Sequence, residues 1–170
     1  MSSKAQLEIN ETILVIVIFS VLAIAGLVVF HRYNTESIKA SILESERLSF
    51  YDLLNQVPNM PELKCSSQNI QDDCIDLYKA FGLSKLQLKY FDKFGYKTIN
   101  LRFIYPKLPD KECTESLFQA TDFPNCNRLK IYERIPSSYK ATEKISSPVA
   151  IYNPVTQDYM LAVLELTWQY

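Results

Sequence analysis

Four cysteines are the residues most able to form covalent chemistry in this 170-residue chain. Cys65 and Cys74 are nine residues apart, and Cys113 and Cys126 are thirteen apart. Zinc sites need ligand pairs about two to four residues apart, and neither pair has that spacing. An even count in turn-rich surroundings suits two disulfides, and local pairing would give Cys65–Cys74 and Cys113–Cys126. Three connectivities are open to four cysteines, and four reduced thiols are the alternative. In the chain-entropy view, each local closure adds roughly 2–3 kcal/mol.

Other chemistry is poorly provided for. The only histidine is His31, so a Ser–His or Cys–His nucleophile has no partner in the region that carries the cysteines. Asp72, Asp73 and Asp76 cluster, but they lack the spacing and central glycine of an EF-hand loop. They read as complements to a helix dipole at the helix start. Asn10-Glu11-Thr12 has the glycosylation pattern but abuts the apolar run, and is read as inert. With three glycines in the chain, a phosphate-cradling loop is not expected. A net charge of −1 without a block of Lys and Arg gives no reason to expect nucleic acid. No catalytic, metal or cofactor residues are assigned, and a non-enzymatic protein is expected.

The elements that carry these residues begin with a helix. Ile13 to Phe30 is ILVIVIFSVLAIAGLVVF, without a single charge. At 1.5 Å per residue it extends roughly 27 Å, close to the hydrocarbon core of a bilayer. A soluble helix would show a polar face, and this run has only Ser20, whose hydroxyl can bond back to a helix carbonyl. Its length, the preceding Glu8 and Glu11, and the following His31-Arg32-Tyr33 favour an uncleaved anchor over a secretory signal. Lys4 and the N-terminal amine on one side and Arg32 and Lys39 on the other nearly balance, with a weak lean toward a cytoplasmic C-terminal domain. The paired cysteines favour an extracytoplasmic C-terminal domain at the cell membrane.

The expected layout is a polar N-terminus over 1–12, a transmembrane helix over 13–30, a helical extension over 31–57 and a domain over 58–170. Between Tyr33 and Gln56 there is no Gly or Pro, and Ile38, Ile42, Leu48, Phe50, Leu53 and Leu54 recur at roughly helical spacing. The helix either runs on through Asn34-Thr35 or is capped afresh there. A short helix is expected near Asp72–Gly82, and a second from Ser84, through Leu86, Tyr90 and Phe91, to Gly95. The period then changes to two: strands are expected over Ile99–Tyr105, Leu129–Ile135, Pro148–Tyr152 and Asp158–Trp168. The last two form a hairpin around Asn153–Gln157. Asp110–Asn127 reads as a long loop needing a staple. The fold class is therefore α+β: a long helix, two short helices and a four-stranded antiparallel sheet. Trp168-Gln169-Tyr170 and the tyrosine-rich strands are read as core plus ordinary surface tyrosines before contact surface.

The layout resembles the type IV pilin-like proteins, and Lys4-Ala5-Gln6-Leu7-Glu8 is most similar to archaeal versions, where a basic and a small residue precede a Gln at the processing site. The resemblance covers the first ~55 residues. It implies processing at Ala5-Gln6 and self-assembly through the apolar helices. It also implies that Glu8 or Glu11 neutralises a neighbour's N-terminal amine. The family usually has that glutamate fifth in the mature chain; from Gln6, Glu8 is third and Glu11 sixth. The expected function is a single-pass, non-catalytic surface protein, a subunit or minor component of a surface filament or its assembly system. The alternative is a permanently anchored ectodomain that binds another envelope protein or a surface polymer. Membrane lipid is the first expected partner.

Overall fold

In the computed structural model, helix α1 runs unbroken from Ser3 to Gln56. The structure describes residues 3–65, 73–118 and 124–170, with the side chains of residues 3–12, Glu115 and Phe118 outside that description. Ser20 Oγ donates to Ile16 O at 2.8 Å, the back-bond expected of a hydroxyl in an apolar helix. Thr35 Oγ1 makes the same bond to His31 O at 2.8 Å, so Thr35 is spent inside the helix and caps no new one. The chain divides into two compact units between Leu48 and Ser49. In the first, the apolar residues from Ile13 to Phe30 are exposed, and this helix is long and apolar enough to cross a membrane. In the second, Phe50, Leu53 and Val57 are buried; their spacing of three and four residues sets them on one helix face.

The second unit is built on a five-stranded mixed sheet in the order β1-β4-β5-β2-β3. Its strands are β1 (Cys74–Asp76), β2 (Lys97–Tyr105), β3 (Arg128–Glu133), β4 (Thr142–Asn153) and β5 (Asp158–Gln169). The β4–β5, β5–β2 and β2–β3 pairs are antiparallel, and β1 joins β4 in parallel through Cys74–Ala150, Ile75–Ile151 and Asp76–Tyr152. The four expected strands are present, and α+β is the class. The sheet is not the expected four-stranded antiparallel one, because β1 occupies residues expected to start a helix. Cys74, Ile75 and Asp76 are buried, and a second segment holds β1 on its other edge. There Cys65 N–H donates to Cys74 O at 3.0 Å and Asp76 N–H to Leu63 O at 2.7 Å. These long-range bonds outweigh the local helix signal.

Helix α2 (Leu77–Ser84) starts only after β1, packs against β3 and β4, and runs two residues past Gly82. Ser84 Oγ donates back to Phe81 O at 2.6 Å, so it closes α2 and does not cap the next element. That element is a 3₁₀ turn (Gln87–Tyr90) leading into α3 (Phe91–Phe94). Gly95 ends it at φ 62°, ψ −145°, a conformation open essentially to glycine alone. Between Asp110 and Asn127, one turn, α4 (Glu115–Phe118), interrupts the expected loop.

Alternation in β5 sorts the two sheet faces. Met160, Ala162, Leu164, Leu166 and Trp168 are buried, opposite Ile99, Leu101 and Phe103 of β2. Phe50 meets Trp168 at 5.7 Å between ring centroids, which puts Trp168 in the core as expected. Pro148 lies in β4 where β1 no longer reaches, so it has a strand on one side only, the setting in which a sheet tolerates proline.

Candidate functional site

The four cysteines pair as Cys65–Cys74, with Cα atoms 5.5 Å apart, and Cys113–Cys126, with Cα atoms 5.2 Å apart. The first ties β1 to the segment alongside it. The second closes the long loop before β3, where Cys113 N–H also donates to Arg128 O at 2.7 Å. Cys65, Cys74, Cys113 and Cys126 are all buried, and none is free.

The acidic cluster separates in space. Asp76 is buried and caps α2, its carboxylate accepting from Tyr78 N–H at 2.9 Å and Lys79 N–H at 3.0 Å. Asp73 is exposed and lies 3.8 Å from Lys64 Nζ. Asp72 lies outside the described residues. Among the described residues no group of His, Cys, Asp and Glu could hold a metal ion. Ala5, Gln6, Glu8 and Glu11 lie on the helical backbone of α1, but their side chains fall outside the description. His31 is exposed on the same helix.

The open face of the sheet carries most of the remaining polar geometry. Glu165 on β5, 13% exposed, accepts from Arg102 Nε and from Lys144 Nζ, each at 2.9 Å. Burial pushes its carboxyl up, but the hydrogen bonds and charges of Lys144 and Arg102 together outweigh that and hold it below the usual carboxylate value. Next to this cluster, an open cleft of about 650 Å³ lies between the ends of β2 and β3 and the loop that follows β2. Arg102, Lys107 and Arg128 line it, with Asp110 as the single lining carboxylate. Arg128 Nε is 3.4 Å from Asp110 Oδ1. Asn127 also lines it, and its side-chain oxygen is buried without a partner among the described residues. A second hollow of about 320 Å³ lies across the same loop, bordered by Tyr105, Asn153, Asp158 and Tyr159.

Neither hollow was anticipated from the sequence. Arg102 and Arg128 are far apart in the chain, and a near-neutral total hides a local excess. The one available signal was strand alternation, which sends Arg102 to the face opposite Leu101 and Phe103. Compared with known protein families, curated proteins and solved structures, the chain gives no match.

Proposed function

We infer that this chain is a single-pass, membrane-anchored, non-catalytic surface protein of pilin-like build. One observation carries the reading: a single helix, α1, has exposed apolar residues from Ile13 to Phe30 and a final segment in a domain core. An apolar surface of that length in water is unfavourable by roughly 25 cal/mol per Å², so it calls for lipid or for the same helix of a neighbour. In the filament reading both apply in turn: lipid before assembly, neighbouring helices after it. Two disulfides in the second unit support an oxidising compartment, hence an extracytoplasmic domain at the cell membrane.

The test is N-terminal sequencing of the native protein. Processing predicts a mature chain that begins at Gln6, with Glu8 and Glu11 as candidate partners of a neighbour's amine. A chain that still begins at Met1 or Ser2 sinks the pilin-like reading. It would leave the second one: a permanent anchor for an ectodomain that binds another envelope component. The basic cleft between β2 and β3 is the observation that favours this second reading. Compartment is tested separately by thiol labelling of intact cells. Labelling only after an external reductant is expected; thiols that are free yet inaccessible to the label in intact cells overturn the placement.

A further inference from the structure

We propose that the cleft lined by Arg102, Lys107 and Arg128 binds a short acidic oligosaccharide of the uronate class. The proposal goes beyond the anchored-domain reading and does not depend on whether the helices assemble.

The register supplies the first reason. Arg102 of β2 and Arg128 of β3 are direct cross-strand partners. Like charges set opposite each other on a sheet repel, and proteins normally avoid the pairing. Here each arginine has a carboxylate beside it, Glu165 for Arg102 and Asp110 for Arg128. Those carboxylates offset the repulsion without filling the cleft. Lys107 adds a third cation to the lining. Three cations line the cleft against two carboxylates, Asp110 in the lining and Glu165 beside Arg102, and in a chain of net charge −1 this is a local excess that favours an anion. Arginine adds a planar fork that matches a carboxylate in two bonds.

The rest of the lining selects among anions. Ile104, Leu108 and Pro109 give the cleft an apolar side, which suits the C–H face of a sugar ring. Asn127 has an amide oxygen buried without a partner among the described residues, and an unmade bond of that kind is costly. A turn of this amide toward the cleft would let it accept from a sugar hydroxyl. The volume of about 650 Å³ falls within the roughly 300–1,000 Å³ range of small-ligand clefts.

Acidic peptides and nucleic acid fit less well. An extended peptide adds to free strand edges through its backbone. Here Phe103 N–H donates to Asn127 O, Asn127 and Arg128 N–H both donate to Lys111 O, and Cys113 N–H donates to Arg128 O. Pro109 in the lining has no N–H to offer. Single-stranded nucleic acid needs exposed rings for base stacking, and the one ring in the lining, Phe103, is buried.

The experiment uses the full chain in detergent micelles, titrated calorimetrically at low salt. The probes are a trimer of galacturonate, a neutral trimer of galactose, and glycerol phosphate as a stand-in for a lipid headgroup. The galacturonate trimer is expected to bind, and added salt to weaken it. Lys107→Gln and Arg128→Gln are each expected to weaken it about tenfold. Lys89→Gln, an exposed lysine in the 3₁₀ turn, is the control and is expected to bind as wild type. Thermal melts of every variant guard against misfolding; Asn127→Ala is expected to weaken the trimer and leave glycerol phosphate unaffected. The proposal is overturned if the galacturonate trimer does not bind or if the neutral trimer binds equally. It is overturned too if Lys107→Gln and Arg128→Gln bind as wild type, or if glycerol phosphate binds as tightly as the trimer. None of these outcomes bears on where the mature chain begins, so this proposal and the pilin-like reading can fail separately.

Discussion

Phe19 and Phe50 stand on the same helix and meet different surroundings. Phe19 is 73% exposed in a run that is apolar but for Ser20, while Phe50 is fully buried against Trp168. Around Phe19 no helix face is polar, so no single partner surface could cover the run. Around Phe50 the neighbours divide: Leu53 and Val57 are buried, while Tyr51, Asp52 and Asn55 are exposed. Apolar residues in one helix can therefore be distributed in two ways, as a stripe or all round. A stripe calls for a protein core, and an all-round surface calls for lipid or a ring of like helices.

Two truncations separate these roles most sharply. Phe50→Ala is expected to destabilise the domain by about 3–5 kcal/mol, the usual range for emptying a buried phenylalanine site. Phe19→Ala is expected to leave the domain's denaturation midpoint unchanged. Where Phe50→Ala fails to fold, Phe50→Leu reports the same direction at smaller size. Equal effects of Phe19→Ala and Phe50→Ala in a urea titration would erase the distinction between the two regions.

The converse change acts on the first unit alone. Leu22 is exposed near the middle of the apolar run. Leu22→Arg is expected to disfavour insertion by about 3 kcal/mol, since a central arginine costs about 2.5–3.5 kcal/mol and a central leucine favours insertion. Alkaline extraction of membranes should release more of the variant than of wild type. Release of both would remove the argument for an anchor. The domain's own melting should not move.

How much of this was legible in the sequence follows the range of the forces involved. Helix α1 was legible because its causes are local: no Pro and a single Gly, Gly26, an uncharged run from Ile13 to Phe30, and Ser20 bonding within one turn. The β4–β5 hairpin was legible from the breaker cluster Asn153–Gln157 between two alternating runs. Strand β1 was not, because three residues carry no period, and its partners lie at Leu63, Cys65 and Ala150–Tyr152, remote from the helix signal that follows it. The facing of Arg102 and Arg128 was further out of reach. It depends on a register shift at Ile99–Asn100, which pairs Ile99 with Tyr132 and Asn100 with Lys130 and so skips Ile131. One residue of slip would part the two arginines.

The open sheet face offers the finest test of the comparison, because there a charge is kept in a half-buried setting that lipid would not allow. Glu165 has its pKa lowered: burial raises it, and the bonds and charges of Lys144 and Arg102 outweigh that. A carboxylate with a depressed native pKa stabilises the fold above its unfolded value, about 4.3 for glutamate. That contribution is lost as pH falls through the lower native value. Both partners are largely exposed, Arg102 at 46% and Lys144 at 55%, so solvent screens the cluster. The expected contribution is therefore only about 0.5–1 kcal/mol. Glu165→Gln keeps the shape and removes the titration. Urea midpoints measured from about pH 6 down to pH 3 should fall more steeply in wild type than in Glu165→Gln, with the difference largest above the carboxylate range and vanishing below it. Parallel curves would mean that Lys144 and Arg102 do no more for Glu165 than water does. High salt should shrink the gap without reversing it, because screening weakens the pairs but leaves their sign unchanged.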